Sequence, residues 1–169
     1  HTNKIKDLGV EELAGSELFE PLKELWMYEN MIGDAGAIAL AESDFVLQLR
    51  YLSLYTNKVG DDGAVALANS KSLGHLETLD LSFNRIGDRG AVALANSTCL
   101  KNLKVLHLDA NRIGLAGMQA LAKLPGLKNL ETLNLMYNLV HPQGLDLLDR
   151  SERLQGLDYV KTDLLRADD

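Results

Sequence analysis

A repeat of 27 residues runs through nearly the whole chain and restricts its fold more than any other feature. The stretch 76–95, LETLDLSFNRIGDRGAVALA, returns when the sequence is shifted by this period in either direction. Asparagines and leucines recur at the same spacing: Asn30, Asn57, Asn84, Asn111 and Asn138, and Leu22, Leu49, Leu76, Leu103, Leu130 and Leu157. A fixed period in this range is typical of a solenoid, in which each repeat packs only against its neighbours.

The period predicts a single repeat domain over residues 1–169. Its expected parts are a partial repeat (1–21), five full repeats of 27 residues (22–156), and a terminal strand and tail (157–169). The first residues already match positions in the middle of a repeat, since Asn3 lies 27 residues before Asn30. This start predicts that the chain is a fragment of a longer protein.

Each repeat reads as a short strand followed by a helix. The pattern LxxLxL alternates apolar and polar residues, which is typical of a strand with one buried face. The Asn after it is expected to satisfy backbone groups of adjacent loops that lack a ladder of their own. The Gly-Asp-x-Gly-Ala segment then predicts a helix start, with an Asp such as Asp88 capping free N–H groups. The AxALA run continues the helix, because alanine is a strong helix former.

Strands and helices in alternation predict an α/β fold. Neighbouring strands stack at about 4.8 Å, whereas packed helices lie about 8–10 Å apart. A stack of such units must bend, so we expect a right-handed horseshoe-shaped solenoid with parallel strands on the concave face and helices on the convex face.

The repeat LxxLxLxxNxIGDxGAxALA, as in 76–95, resembles the leucine-rich repeat, in particular its ribonuclease-inhibitor-like class. The GAxALA segments are similar to those of bacterial leucine-rich-repeat effectors, nucleotide-binding immune receptors and Ran GTPase-activating proteins. The resemblance implies a right-handed leucine-rich-repeat solenoid that is cytoplasmic and binds another protein on its concave strand surface. The uniform 27-residue repeats and the near absence of Cys depart from ribonuclease inhibitor itself, so ribonuclease inhibition is not implied.

Composition excludes several classes of function. The net charge of −7 argues against nucleic-acid binding, which needs a basic stripe. No apolar run is long enough to cross a bilayer, so we expect no membrane partner. The single cysteine, Cys99, cannot form an intramolecular disulfide, which fits a reducing compartment or an array that is stable without disulfides. We expect a monomer.

The outward positions of the strands hold the residues that the scaffold does not need. The only Trp and all five Tyr fall there, four of these six side chains in two adjacent repeats. Exposed Trp and Tyr are enriched at binding hot spots. The predicted partner-binding residues are Trp26, Tyr28, Tyr51, Tyr55, Asp80, Phe83, His107, Asp109, Tyr137 and Tyr159. Alternatively, the aromatic residues protect a strand face near the chain end, or further repeats cover them.

Charge on the same face indicates what the partner offers. Eight acidic residues stand against four basic ones: Glu24, Glu29, Glu77, Asp80, Asp109, Glu131, Asp158 and Asp163, against Lys23, Arg50, Lys104 and Lys161. A partner protein with a basic or polar surface and an apolar anchor is therefore favoured. The alternative is the sensing or substrate-recruiting domain of a larger receptor, effector or ubiquitin-ligase-type enzyme.

Two polar groups have a chemical interpretation as well as a structural one. Asp80, His107 and Asp109, with Ser82 nearby, could hold a metal or form a hydrolytic site. An open sheet offers no pocket that excludes water, so we predict no catalytic residue, no metal and no cofactor, and the chain is not expected to be an enzyme. The row Lys58, Arg85 and Arg112 could meet an acidic partner or phosphate, or form a solvated edge.

Overall fold

The computed structural model describes residues 3–139 and 141–163 of the chain. Helices and strands alternate along it. The helices are α1 (Lys6–Ala14), α2 (Asp34–Glu42), α3 (Asp61–Asn69), α4 (Asp88–Ala95), α5 (Leu115–Leu121), α6 (Pro142–Asp149) and α7 (Glu152–Gln155), with a short 3-10 helix at Glu17–Phe19. The strands are β1 (Glu24–Trp26), β2 (Tyr51–Ser53), β3 (Thr78–Asp80), β4 (Val105–His107), β5 (Thr132–Asn134) and β6 (Tyr159–Lys161). The predicted tail at 164–169 lies outside the described residues.

The strands form one parallel sheet in the order of the sequence, β1 to β6. Paired residues are 27 positions apart, so that Leu25 lies opposite Leu52 and Leu52 opposite Leu79. Each of the helices α1 to α6 packs against the next one along the chain. The sequence period is therefore the translation from one repeat to the next, which confirms the predicted α/β solenoid of parallel strands and helices.

The core lies between the sheet and the helices. The inward leucines of β2 to β5 are fully buried there, as are Leu67 and Leu94 from the helices facing them. Burial of each such side chain contributes about 1.5–3 kcal/mol. Small residues bring the helices together, since a Cβ on Gly63 would lie 2.9 Å from the Cβ of Ala37 in the preceding helix. Glycine at this position therefore lets the two helices lie close together.

The recurring asparagines join adjacent loops through their side chains. The Asn57 carboxamide oxygen accepts from the N–H groups of Asn30 and Ile32 at 3.1 and 2.9 Å. Its amide nitrogen donates to the carbonyls of Met27 and Leu54 at 2.8 and 3.0 Å. Asn84 and Asn111 repeat this pattern. Each accepts from an N–H group of the preceding repeat and donates to carbonyls both of that repeat and of its own. The predicted asparagine column is confirmed.

The aspartates at the helix starts cap a helix, but not the one in which they lie. Asp34 begins α2, yet its carboxylate accepts from the N–H groups of Gly60 and Gly63 at 2.7 and 2.9 Å, at the start of α3. Asp61 does the same for α4, and Asp88 for α5. Helix α2 itself has no side-chain cap from its N-cap residue Gly33. Each cap therefore links two repeats.

The fifth repeat caps its helix by another route. The fourth repeat has Leu115 at the aspartate position, so it supplies no carboxylate to α6. Instead Nδ1 of His141 accepts from the N–H of Gln143 at 3.2 Å. Pro142 occupies the first helical position, where its missing N–H removes one donor that would need a partner. Pro142 therefore fits the first turn of the helix.

A second ladder follows the helices and changes form in the fourth repeat. The hydroxyls of Ser43 and its counterpart in the next repeat donate to carbonyls of the preceding helix, Ser43 to Ala14 at 2.6 Å. Leu124 takes the serine position and has φ of 40°. There the N–H of Gly126 donates to the carbonyl of Ala95 at 3.0 Å. A Cβ on Gly126 would clash with the backbone of the preceding repeat, so only glycine fits.

Candidate functional site

Five aromatic side chains gather on the strand face, which is the surface of the sheet turned away from the helices. We call Trp26, Tyr28, Tyr51, Tyr55 and Phe83 the aromatic patch. Trp26 stacks on Tyr51 with ring centroids 4.1 Å apart and planes at 26°. Tyr55 meets Phe83 edge to face, with centroids 5.3 Å apart and planes at 61°. The patch thus spans three repeats and joins five of the residues predicted from the sequence.

The stacking of Trp26 follows from the size of its direct neighbour. In the sheet register Trp26 lies opposite Ser53, whose small side chain is buried. The indole instead covers Tyr51, two residues back on β2, which is a diagonal contact of the kind that long aromatic side chains can reach. Its Nε1–H donates to a carboxylate oxygen of Glu24 at 3.3 Å. Trp26 nevertheless stays 53% exposed and Phe83 46% exposed, so both present apolar surface to solvent.

A hollow of about 700 Å³ opens beside the patch. It is lined by Trp26, Tyr28, Glu29, Ser53, Tyr55 and Asp80. Glu29 and Ser53 were not among the predicted site residues. Both occupy outward positions of their repeats, and selection by aromatic character left them out. The hollow combines aromatic walls with two carboxylates, a surface suited to an apolar or cationic side chain.

Asp80 is held in place at the edge of this hollow. One carboxylate oxygen accepts from the N–H of Ser82 at 3.0 Å and the other from the hydroxyl of Ser53 at 3.4 Å. Burial raises the pKa of Tyr51, and the negative charge of Asp80 raises it further. The Tyr51 hydroxyl is therefore neutral at physiological pH.

In the polar group of Asp80, Ser82, His107 and Asp109, hydrogen bonds hold the two carboxylates and the Ser82 hydroxyl. Asp109 accepts from the hydroxyl of Ser82 at 2.6 Å and from the amide of Asn134 at 2.8 Å. His107 lies opposite Asp80 in the sheet register. The Ser82 hydroxyl thus donates to a carboxylate rather than to an imidazole, and these residues do not form a hydrolytic triad. Among residues 3–139 and 141–163, no three His, Cys, Asp or Glu side chains are placed to hold a metal ion.

The two remaining predicted tyrosines lie at the other end of the sheet. Tyr159 is on β6, and Tyr137 follows β5. They are 50% and 64% exposed, and in the described part of the chain neither ring pairs with another aromatic ring. The structure therefore does not bring them into the aromatic patch.

The residue three positions after the end of each of the strands β1 to β5 has an unusual backbone conformation. Glu29, Thr56, Phe83, Ala110 and Tyr137 all have φ between 52° and 59°. This left-handed region is costly for residues other than glycine and asparagine, most of all for a β-branched side chain. It turns the chain out of the sheet while each N–H still bonds to the next repeat, as from Phe83 to the Asp109 carbonyl at 2.9 Å. The turn places Phe83 beside the strand face.

The row of cations predicted on one rim is present on the surface. Lys58, Arg85 and Arg112 are exposed and follow the asparagines of three successive repeats. None forms an ion pair with a carboxylate in the described parts of the chain. They lie at the edge where the chain leaves the strands, beside the aspartates that cap the helices.

Comparisons with known proteins agree with this architecture. A family model described as "Leucine Rich repeat" matches residues 49–68, 74–95 and 99–122. Among solved structures, one described as "Leiomodin-1 Actin-Binding Site 2 (ABS2)" matches with a TM-score of 0.64 and 19% identity, covering 86% of this chain and 89% of that one. A search of curated protein sequences finds no match.

Leucine-rich-repeat domains generally mediate protein–protein interactions and are typically binding scaffolds rather than enzymes. Within residues 3–139 and 141–163, no helix is both long enough and apolar enough to span a membrane. The three matched segments cover the repeats at the centre of the sheet, and the solved structure extends the likeness over most of the chain. The matched segments therefore correspond to leucine-rich repeats, and the chain has the fold of a leucine-rich-repeat α/β solenoid.

Proposed function

We propose that the chain is an interaction scaffold that binds a partner protein on its strand face, with the aromatic patch as the anchor. The observation that carries this proposal is the pair of ring contacts, Trp26 with Tyr51 and Tyr55 with Phe83, left exposed around one hollow. The solenoid does not need these side chains, because its strands are held together by the buried leucines and the asparagine ladder. An exposed cluster of this kind marks an interaction surface.

The geometry also favours tight binding. Aromatic side chains bury about 150–250 Å² each when they are fully covered, and they dominate interface energetics. Mutual stacking already restricts Trp26 and Tyr51, so little side-chain entropy remains to be lost when a partner covers them. The hydrogen bond from Trp26 to Glu24 restricts the indole further. A partner that inserts one side chain into the hollow would contact Trp26 of one ring pair and Tyr55 of the other.

Charge selects the kind of partner. Glu29 and Asp80 line the hollow, and Glu24 lies beside it. These carboxylates favour a partner with a basic or polar surface and disfavour an acidic one. Farther along the face, His107, Asp109, Tyr137 and Tyr159 extend the same surface and belong to the proposed contact area. Asp109 is fixed by its hydrogen bonds, so it would meet the partner without reorganising.

The finer assignments rest on the resemblance. The helices of seven to nine residues in α2–α5 support the ribonuclease-inhibitor-like class. A single repeat domain, a monomer in the cytoplasm and the absence of nucleic acid among its partners are part of the same proposal. So is the alternative role as the sensing or substrate-recruiting domain of a larger protein.

The test compares three forms of the chain as bait. The double variant Trp26→Ala/Tyr55→Ala removes one ring from each pair, and Leu47→Ala/Val92→Ala removes exposed apolar side chains outside the patch. A partner captured by the unmodified chain and the control is then titrated against all three. Loss of two hot-spot residues is expected to cost at least about 2 kcal/mol, or about thirtyfold in Kd. Equal affinity for the patch variant and the unmodified chain would remove the patch from the interface.

A further inference from the structure

A second cleft, of about 550 Å³, lies among the loops that lead from the helices into the strands. It shares no lining residue with the hollow beside the aromatic patch. Four cationic side chains line it: Arg50, Lys104, Lys128 and Arg153. Arg50, Lys104, Glu77 and Glu131 line this cleft in the structure, although the sequence suggested that they lie on the strand face. The surface charge of the cleft is opposite in sign to that of the chain as a whole.

The two carboxylates in this cleft do not cancel its positive charge. Glu77 lies between two cations, accepting from Arg50 and, at 3.1 Å, from Nζ of Lys104. The hydrogen bonds from Lys104 and Arg50 lower the pKa of Glu77, so it is ionised and already has its partners. Glu131 is exposed and has no ion pair with any cation in residues 3–139 and 141–163. With both carboxylates counted, the lining keeps two positive charges, whereas the chain has a net charge of −7.

The segments that carry the cations are fixed by hydrogen bonds. The Arg153 guanidinium donates to the carbonyls of Leu127 and Lys128 at 2.9 and 3.2 Å, which ties helix α7 to the loop before β5. Asn102 joins its loop to the one before it through the carbonyl of Gly74 at 2.6 Å. Neither Lys128 nor Arg153 has a carboxylate within ion-pair distance in the described residues. The cleft thus has a fixed floor and two cations without anionic partners.

The length of the cleft indicates the shape of its ligand. Its lining runs from Arg50, just before β2, to Gly156, just before the chain enters β6. Four strand spacings of about 4.8 Å make about 19 Å. An extended peptide rises about 3.3 Å per residue, so about six residues would follow the cleft from end to end. A single phosphate ion would reach only a part of these cations.

We propose that this cleft binds an extended acidic segment of a partner protein, whose carboxylates pair with Lys104, Lys128 and Arg153. The acidic residues of the strand face do not prevent this, because at physiological ionic strength charges beyond about 8 Å are largely screened. The scaffold then has two sites of opposite charge, one for a basic or apolar anchor and one for an acidic segment. The second site does not depend on the aromatic patch.

The probe for this site is a fluorophore-labelled hexaglutamate peptide, with binding followed by fluorescence anisotropy. Saturable binding is expected, weakening as salt is added. The variant Lys104→Glu/Lys128→Glu should bind about tenfold or more weakly, the loss of about 1.4 kcal/mol in ion pairing. The control Lys58→Glu/Arg112→Glu makes the same change in net charge at the opposite edge of the strands and should stay within about twofold. Trp26→Ala should leave hexaglutamate binding unchanged.

Several results would overturn the assignment. These are the absence of saturable binding, an equal loss in the two double variants, equal binding of hexaglutamine, and displacement of hexaglutamate by inorganic phosphate at the same molar concentration. The last of these would show a single-ion site rather than a site for a segment. Should the charge reversal unfold the chain, Lys104→Gln/Lys128→Gln gives the same comparison without a new repulsion.

Discussion

Replacement of Asp61 by alanine tests whether the helix caps link one repeat to the next. The Asp61 carboxylate accepts from the N–H groups of Gly87 and Gly90 at 2.8 and 2.9 Å, both at the start of α4. Loss of an N-terminal cap costs about 1 kcal/mol and up to about 2 kcal/mol. The favourable interaction of a carboxylate with the helix dipole adds about 0.3–1 kcal/mol. We therefore expect Asp61→Ala to lower the free energy of unfolding by about 2 kcal/mol.

Two matched variants separate the parts of this effect. Asp61→Asn keeps an acceptor and removes only the charge, so it should cost about 0.5 kcal/mol. Asp62→Ala removes the next carboxylate, which is exposed and pairs with the exposed Arg89, so it should cost less than about 0.5 kcal/mol. Equilibrium urea unfolding measures all three differences.

Amide hydrogen exchange shows which helix loses its cap. The inter-repeat cap predicts faster exchange at Gly87 and Gly90 in Asp61→Ala, with little change in the first turn of α3, where Asp61 itself lies. Faster exchange at the start of α3 alone, or equal stability losses in Asp61→Ala and Asp62→Ala, would refute the reasoning.

Three further predictions concern single positions. Gly126→Ala places a Cβ against the backbone of the preceding repeat and should lower the free energy of unfolding by about 2–3 kcal/mol. In the control Gly74→Ala the nearest contact of the new Cβ is at 3.6 Å, so the free energy should change by less than about 0.5 kcal/mol. Similar values for the two variants in urea unfolding would contradict this prediction. Thr56→Asn should raise the free energy of unfolding by up to about 1 kcal/mol, because asparagine tolerates the left-handed backbone that a β-branched residue does not. A lower free energy of unfolding would count against this strain. In a ring-carbon NMR titration Tyr51 should ionise above its ordinary pKa of 10.0, and Asp80→Asn should lower that pKa. The stability from the neutral Tyr51 hydroxyl is present below pH 10.0 and is lost as the pH rises through the folded-state pKa. An unchanged Tyr51 pKa in Asp80→Asn would argue against the coupling of these two residues.

Much of the scaffold could be predicted from the sequence because the repeat is a translation. Once residues 27 apart are superposed, the leucines fall on one face of a parallel sheet and the asparagines form one column. The same superposition places Asp34 and Asp61 at successive helix starts. It does not show which helix each carboxylate reaches, because that depends on how far one repeat is displaced from the next in space. The direction of the caps is for this reason visible only in the structure.

The fourth repeat shows where a local pattern stops being informative. Leu124 replaces a serine and Leu115 replaces an aspartate, so two ladders lose a member. In compensation, the N–H of Gly126 bonds to the Ala95 carbonyl, and His141 caps its own helix. His141 stands at the N-cap position that glycine holds in the preceding repeats, so the repeat pattern itself does not predict its capping role.

The sequence predicted that the side chains of the aromatic patch share one face, but it did not predict their pairings or the presence of Glu29 and Ser53 in the hollow. Comparison of the outward strand positions in successive repeats identified Trp26, Tyr51 and Tyr55 as neighbours on one face. The stacking of Trp26 on Tyr51 needs the small side chain at Ser53, and the contact with Phe83 needs the left-handed turn that follows β3. Both are consequences of side-chain size and backbone conformation in three dimensions, and neither has a 27-residue signature.

The fluorescence of Trp26 tests the central claim most directly, because the chain contains one tryptophan and that residue lies in the aromatic patch. The partner retained by both the unmodified chain and the Leu47→Ala/Val92→Ala control is added to saturation. A partner that covers the patch should shift the emission to shorter wavelength and protect the indole from a soluble quencher such as acrylamide, since Trp26 changes from half-exposed to buried. Saturation of the partner with unchanged emission and unchanged quenching would contradict the proposal that the aromatic patch is the binding site.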